Sequence, residues 1–185
     1  MNLIPLFSTP FLHTKMPEEI RLNKLNFLFS NFDFSNISAE YNDYNLFESH
    51  QSSHEILNFK EFALSTIKKF IIDSCFKLIT DQRAWICGTG HHYYMKNHNH
   101  ANSVVSTVFY FQAEGGGDVI FHDPRVNANR GHSSQFSETF QFNDFKFQPK
   151  SGDVIVFPSF LYHSVPPYRG KSNRVAIAID FFANT

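Results

Sequence analysis

Hydrophobic and polar residues follow two different periods along the chain, and the change falls near residue 80. Between residues 61 and 79, apolar residues recur every three or four positions. The members of this set are Phe62, Ala63, Ile67, Phe70 and Ile71. The period predicts an amphipathic helix that covers one side of a sheet. Residues 1–80 as a whole are predicted to be a helical region that supports the rest of the fold.

From residue 84 onward, short segments with the composition of β-strands alternate with turn signals. Aromatic and β-branched residues dominate the segments, and Gly, Pro, Asp and Asn separate them. The predicted strands are 84–87, 91–100, 103–112, 117–122, 139–148, 152–158 and 174–182. Because no helical pattern intervenes, they predict a sandwich, jelly roll or small barrel, with Trp85 in its core. The polar stretch 125–140 is predicted to be a binding loop or lid.

Length, composition and charge narrow the class of protein. The 185 residues are predicted to form one domain, 1–185, whose β core spans 84–182. A hydrophobic content of 42% and a formal net charge of −1 are typical of a globular protein and argue against a nucleic-acid partner. The 23 phenylalanines predict an aromatic, strand-rich core. The sequence carries no signal for an oligomeric state.

Cysteine usage and hydropathy indicate the compartment. Cys75 and Cys87 form neither a C-x-x-C motif nor a disulfide framework, which is typical of a reducing environment. The first residues lack the features of a signal peptide, and no segment approaches the roughly 18 apolar residues of a membrane span. We therefore expect a cytoplasmic protein with no membrane partner.

Two histidines one residue apart, His98 and His100, open an apolar segment. Alternate residues of a strand share a face, so the two imidazoles project together. A third imidazole is available at His163, at the edge of a later strand. Three neutral imidazoles suit iron, zinc, copper or nickel. These residues predict a metal site, in which His91 and His92 are not expected to take part.

Eleven residues after the last of these histidines, Arg174 opens another apolar strand. If the small residues Ala176 and Ala178 face the interior, Arg174 does so as well. A buried guanidinium requires an anion, and its planar fork binds carboxylates through two parallel hydrogen bonds. The pattern predicts a carboxylate pocket beside the metal. The alternative is a structural ion pair with Asp153 or Asp180.

Taken in order, these motifs resemble those of the non-haem Fe(II), 2-oxoglutarate-dependent oxygenases, and especially a group of small bacterial and viral members. The resemblance covers roughly residues 84–182 and rests on the segments "HNHANSVVSTVFYF", "HDPR", "GDVIVFPSFLYHSV" and "RVAIAIDFF". It implies a mainly β (α+β) fold, a double-stranded β-helix or jelly roll with supporting N-terminal helices.

The resemblance also implies roles for single residues. His98 and His163 would bind Fe(II), and Arg174 would bind the far carboxylate of 2-oxoglutarate. Tyr110 is a further candidate for cofactor binding, with a place in the aromatic core as the alternative. With O2, the protein would couple decarboxylation of 2-oxoglutarate to oxidation of an unknown substrate, as a hydroxylase of a small molecule or a protein side chain.

Two positions depart from the family pattern. Where the wider superfamily usually has aspartate, this chain has His100. Either His100 is a third ligand, or Asp123 or water completes the iron shell. At Ala176, related enzymes often have a serine whose hydroxyl binds the carboxylate, and one hydrogen bond to a charged group is worth about 1.5–3 kcal/mol.

Two other functions remain open. One is a cupin-type metal-dependent dioxygenase or isomerase without 2-oxoglutarate, and the other is a non-catalytic jelly-roll binding module. Cupins place a glutamate shortly after the H-x-H pair, whereas "ANSVVS" follows it here. A non-catalytic module would bind neither iron nor 2-oxoglutarate.

Overall fold

A computed structural model describes residues 8–31, 45–125 and 144–183. In chain order, the elements within these residues are β1 (Leu12–Lys15), α1 (Glu18–Asn31), α2 (Leu46–Ser49), α3 (His54–Ile67), α4 (Asp73–Phe76), β2 (Ile79–Thr89), β3 (Met95–His98), β4 (Val105–Gln112), β5 (Val119–Phe121), β6 (Phe145–Phe147), β7 (Asp153–Pro158), β8 (His163–Val165) and β9 (Arg174–Ala183). The predicted loop 125–140 lies outside the described residues except for Arg125, as do residues 139–143 of a predicted strand. None of the helices in the described ranges has the length and apolar character needed to cross a bilayer.

Two antiparallel sheets make up the β part of the protein. The larger sheet has the strand order β1-β7-β4-β9-β2, and the smaller has the order β3-β8-β5-β6. Neighbours in both sheets pair antiparallel. The mainly β architecture predicted from the sequence is confirmed. Strands β1 and β8 are additions to the predicted set, and the segment predicted as a strand from residue 91 becomes extended only at Met95.

Strand β9 is buried on both of its faces. Its odd positions from Val175 to Phe181 belong to a core cluster that includes buried residues of the helices. Ala176, on the opposite face, belongs to a second cluster with residues of the smaller sheet. Because side chains alternate along a strand, the even positions face the space between the two sheets. These positions are Arg174, Ala176, Ala178 and Asp180.

Helix α3 packs against the outer face of the larger sheet. Its buried residues follow the helical period and are Ile56, Phe59, Ala63, Thr66 and Ile67. Ser53 caps its N-terminus, because the Ser53 side chain accepts a hydrogen bond from the backbone N–H of Ile56. The Phe59 ring lies edge-on to the rings of Phe109 and Phe111, with centroid distances of 4.9 and 5.6 Å.

The helix predicted over residues 61–79 is wrong at both ends. Helix α3 begins earlier, at His54, and ends at Ile67, and β2 already begins at Ile79. After Ile67 the backbone N–H groups of Lys69 and Phe70 donate to carbonyl groups three residues earlier, which closes a turn. Phe70 and its neighbour Ile71 still pack against the core. The apolar period is therefore satisfied by a helix followed by a turn.

Candidate active site

Three histidines come together at one end of the space between the sheets. His98 ends β3 and pairs in register with His163, the first residue of β8. His100 follows two residues after β3. One ring nitrogen of each histidine lies within 4.8 Å of those of the other two. No other group of three or more His, Cys, Asp or Glu residues in the described part of the chain could hold a metal ion in this way.

Hydrogen bonds fix the direction of each imidazole. In His98 and His163, Nδ1 lies 2.8 and 3.0 Å from the carbonyl oxygen of the residue two positions earlier. In His100, Nδ1 lies 2.7 Å from a carboxylate oxygen of Asp180. Carbonyl and carboxylate oxygens only accept hydrogen bonds, so Nδ1 carries the proton in all three rings. Each Nε2 therefore keeps its lone pair, the form in which imidazole binds a metal.

The electrostatics of the cluster suit a divalent transition metal. Burial, with smaller contributions from the neighbouring imidazoles and against the raising effect of the Leu161 carbonyl, lowers the pKa of His163 to about 3. The His163 ring is therefore neutral at neutral pH. Three inward-facing imidazole nitrogens form a donor set that iron, zinc, copper and nickel accept. The residues present thus fit the metal that the sequence predicts.

The histidines line a cavity of about 610 Å³, a volume that includes space open to solvent. Its floor is the inner face of the larger sheet, where Ala176 lies between Cys87 and Tyr110 in register and Ala178 lies between Trp85 and Val108. The smaller sheet contributes Met95, Val119 and Val165. The two alanines leave open space above the middle of the floor.

Arg174 lines the same cavity and is only 5% exposed. Its Nη1 donates to the carbonyl oxygen of Gly117 at 2.8 Å, and its Nη2 donates to Oγ1 of Thr89 at 3.3 Å. The guanidinium carbon lies 5.6 Å from the centre of the Tyr168 ring. The guanidinium is therefore held in place by a carbonyl, a hydroxyl and an aromatic ring.

The ion pairs considered as the alternative role of Arg174 are wrong. Asp153 pairs with His13 and Lys15 on β1, at 2.8 and 2.6 Å. Asp180 pairs with His100. Within residues 8–31, 45–125 and 144–183, no carboxylate forms an ion pair with Arg174. Its positive charge therefore faces the cavity without a carboxylate from these residues.

Residues 83–180, more than half of the chain, match the model of the family described as "Putative 2OG-Fe(II) oxygenase". The chain belongs to this family. The oxygenase therefore uses Fe(II), 2-oxoglutarate and O2. No curated protein matches the chain by sequence.

Solved structures share the fold of this oxygenase. The prolyl-4-hydroxylase of Pseudomonas putida is 12% identical, with a TM-score of 0.65 over 96% of this chain and 95% of that one. HygX from Streptomyces hygroscopicus, solved with nickel and 2-oxoglutarate, is 11% identical, with a TM-score of 0.62 over 95% and 83%. The Trichoplax adhaerens prolyl hydroxylase, solved with a peptide fragment of the hypoxia inducible factor oxygen degradation domain, is 12% identical, with a TM-score of 0.60 over 94% and 83%. At these identities the likeness concerns the fold alone, and the predicted jelly roll is confirmed.

Tyr110 lies on the cavity floor of the oxygenase and is 2% exposed. Burial raises the pKa of its hydroxyl, although the charge of Arg174 acts in the opposite direction. The hydroxyl therefore stays protonated at neutral pH and can donate a hydrogen bond. Tyr110 also belongs to the second core cluster, in line with the aromatic-core alternative. Its part in cofactor binding stays a prediction.

Asp123, the alternative carboxylate for the metal site, is engaged elsewhere. It accepts three hydrogen bonds from Arg125, one from the backbone and two from the guanidinium. These contacts lower its pKa although burial acts to raise it. The adjacent His122 also has both ring nitrogens occupied, by Asp144 and Ser164 at 2.9 Å each. Neither residue belongs to the histidine cluster.

Sequence reasoning missed two residues of the site. Trp85, predicted to be in the core, lines the cavity, and its ring centroid lies 5.6 Å from that of His100. Asp180 was considered only as a partner of Arg174 but contacts His100. Strand parity already placed Asp180 on the inward face of β9. Six residues of strand put it about 20 Å from Arg174, which was the available signal that it serves the opposite end of the cavity.

Proposed function

We propose that the oxygenase binds Fe(II) through His98, His100 and His163, and the far carboxylate of 2-oxoglutarate through Arg174. The observation that carries this proposal is the shared cavity. Three imidazoles with closely spaced ring nitrogens line one part of it, and a buried guanidinium without a carboxylate partner among the described residues lines another. An isolated buried charge is costly, so an anionic ligand is the expected partner of Arg174.

Two further residues complete the proposal, and one of them is a departure from the family pattern. His100 acts as the third ligand, which is supported by its place in the cluster and by the engagement of Asp123 with Arg125. Tyr110 acts as a hydrogen-bond donor to the bound cosubstrate. Its support is that the cavity also contains Arg174 and that burial keeps the hydroxyl protonated.

The bound Fe(II) and 2-oxoglutarate supply the oxidising chemistry, and the chain orients the cosubstrate and excludes water. Apolar and aromatic side chains form most of the wall, and they include Trp85, Met95, Val108 and Val165. We expect hydroxylation of a small molecule or a protein side chain. A cytoplasmic location is proposed as well, because Cys75 and Cys87 form no disulfide with each other.

An anaerobic titration tests the two binding roles. The metal-free protein is loaded with Fe(II) and then titrated with 2-oxoglutarate, while the visible absorption band of the complex is followed. Arg174→Ala should keep its metal affinity and lose at least about a hundredfold in 2-oxoglutarate affinity, since two hydrogen bonds to a charged group are each worth about 1.5–3 kcal/mol. His163→Ala should lose both ligands.

Arg21→Ala is the matched control for loss of a guanidinium. Arg21 lies on α1, pairs with Glu18 and donates to the carbonyl of Phe111, away from the cavity. It should bind both ligands as the native protein does. If Arg174→Ala bound 2-oxoglutarate as tightly as Arg21→Ala, the assignment of Arg174 would be wrong.

A further inference from the structure

Asp180 contacts the ring of His100 at Nδ1. One oxygen of its carboxylate accepts hydrogen bonds from Nδ1 of His100 at 2.7 Å and from Oγ of Ser106 at 2.6 Å. Ser106 in turn contacts Oγ of Ser159 at 2.8 Å. The side chains of His100 and Asp180 are 10% and 12% exposed. Asp180 itself is not a member of the metal-competent cluster, so it acts on that cluster through His100.

The three histidines differ in the group that accepts a hydrogen bond from Nδ1. The Nδ1 atoms of His98 and His163 donate to uncharged backbone carbonyl oxygens, whereas that of His100 donates to a carboxylate. A carboxylate in this position fixes the tautomer and the ring orientation, and it makes the opposite nitrogen a stronger ligand. The difference singles out His100 as the imidazole with the most electron-rich Nε2.

The backbone around His100 is fixed as well. Its N–H donates to the carbonyl of Ser159 at 3.1 Å, and its carbonyl accepts a hydrogen bond from Oγ of Ser103 at 2.9 Å. The ring is thus held by β9 while the main chain is held by the residue that follows β7. Such double support indicates that His100 is oriented before any metal binds.

We infer that Asp180 is a positioning residue of the metal site. Its carboxylate holds Nε2 of His100 toward the metal. It also supplies, one hydrogen bond away, the negative charge that a triad of two histidines and one carboxylate places on the metal itself. The inference rests on the proposed function, because it requires His100 to be a ligand. It assigns to this chain a carboxylate that serves the metal without touching it.

If Asp180 only tied the segment around His100 to β9, a substitution that keeps its shape and hydrogen bonding would leave the metal affinity unchanged. Asp180→Asn keeps the shape of the side chain and an oxygen that accepts hydrogen bonds, and it removes the charge. The metal-free variant is titrated with Zn(II) and with Co(II) in competition with a chelator. We expect dissociation constants about 10–100-fold weaker than those of the native protein.

Asp153→Asn is the control for loss of a buried carboxylate. Asp153 also belongs to the larger sheet and also binds a histidine, since Nε2 of His13 lies 2.8 Å away. It faces β1 and does not line the cavity. Asp153→Asn should bind both metals as the native protein does, even where its stability falls. Equal metal affinities for Asp180→Asn and Asp153→Asn would overturn the inference.

A measurement on the native protein makes the test independent of how the variants fold. In the Zn(II)-loaded protein labelled with 15N-histidine, the ring of His100 should carry its proton on Nδ1 and bind zinc through Nε2. A proton on Nε2 with zinc on Nδ1 would overturn the inference. Native protein that binds neither Zn(II) nor Co(II) would overturn the proposed function together with this inference, whereas native-like binding by Asp180→Asn would overturn this inference alone.

Discussion

Replacing Gly117 with alanine should weaken 2-oxoglutarate binding and leave metal binding unchanged. Gly117 has a φ of +68°, and its carbonyl accepts the 2.8 Å hydrogen bond from Nη1 of Arg174. A Cβ at this position would lie 2.8 Å from Cδ2 of Tyr168 and 3.0 Å from Nη1 of Arg174. Alanine would therefore push on both side chains that hold the guanidinium in place.

This substitution should affect two measured quantities separately, the free energy of unfolding and the affinity for 2-oxoglutarate. A left-handed backbone conformation costs a residue other than glycine about 1–2 kcal/mol in the free energy of unfolding. Displacement of the guanidinium adds the loss of about one charged hydrogen bond to the cosubstrate, or roughly 1.5–3 kcal/mol. That loss corresponds to a dissociation constant for 2-oxoglutarate about tenfold to a hundredfold weaker. The three histidines do not contact Gly117, so the affinity for metal should stay the same.

Gly115→Ala separates these two costs. Gly115 has nearly the same φ, +67°, and a Cβ there would meet no atom within 4 Å. Both variants should lose unfolding free energy in urea, Gly117→Ala more so because its Cβ meets Tyr168 and Arg174. Only Gly117→Ala should lose 2-oxoglutarate affinity in the anaerobic Fe(II) titration. If the two variants bound 2-oxoglutarate equally well, the position of the Arg174 guanidinium would not control cosubstrate binding.

Three further substitutions test the packing, the cavity and the charge balance. Phe59→Ala should lower the free energy of unfolding by about 3–5 kcal/mol, because Phe59 is fully buried; a loss in urea unfolding no larger than that of a surface substitution would contradict the packing described. Ala178→Leu should fill the middle of the cavity and block 2-oxoglutarate binding while Fe(II) still binds, and an unchanged titration curve would show that the cosubstrate lies elsewhere. Although burial acts to raise the pKa of Asp153, hydrogen bonds from Lys15, His13 and a backbone N–H lower it overall, so its stabilising effect is complete above its unfolded-state pKa and is lost as the pH falls through the folded-state value. The stability difference between the native protein and Asp153→Asn should therefore shrink below about pH 4, and a difference independent of pH in urea unfolding would refute this assignment.

Local patterns were sufficient to predict the inward face of β9. They also predicted that His98 and His100 project together, although β3 ends at His98 and His100 lies just beyond the strand. The alternation of Arg174, Ala176 and Ala178 requires only the two-residue period of a strand. By contrast, the end of α3 at Ile67 depends on a turn that lets Phe70 reach the core, and no glycine or proline marks it. A periodic apolar pattern alone does not distinguish one helix from a helix followed by a packed turn.

The partners of the inward-facing charges depend on sheet register. The sequence offered Asp153 and Asp180 as carboxylates for Arg174, and the spacing along one strand argued only against Asp180. The register of β7 with β1 brings Asp153 to Lys15, and the register of β9 with β4 brings Asp180 to Ser106. Neither pairing is encoded in a short stretch of sequence, so the surroundings of Asp180 emerge only from the assembled sheet.

Strand β9 fixes the spacing of residues at the two ends of the site. It carries at one end the residue proposed to hold the cosubstrate and at the other the residue proposed to hold a metal ligand. Their separation of six positions is even, so both side chains emerge on the same side of the sheet. One extra residue inserted between Ala176 and Ala178 would leave a strand of similar composition but would turn one of the two ends outward. The spacing and parity of this single strand therefore help to set the distance between the residue proposed to bind the cosubstrate and the metal site.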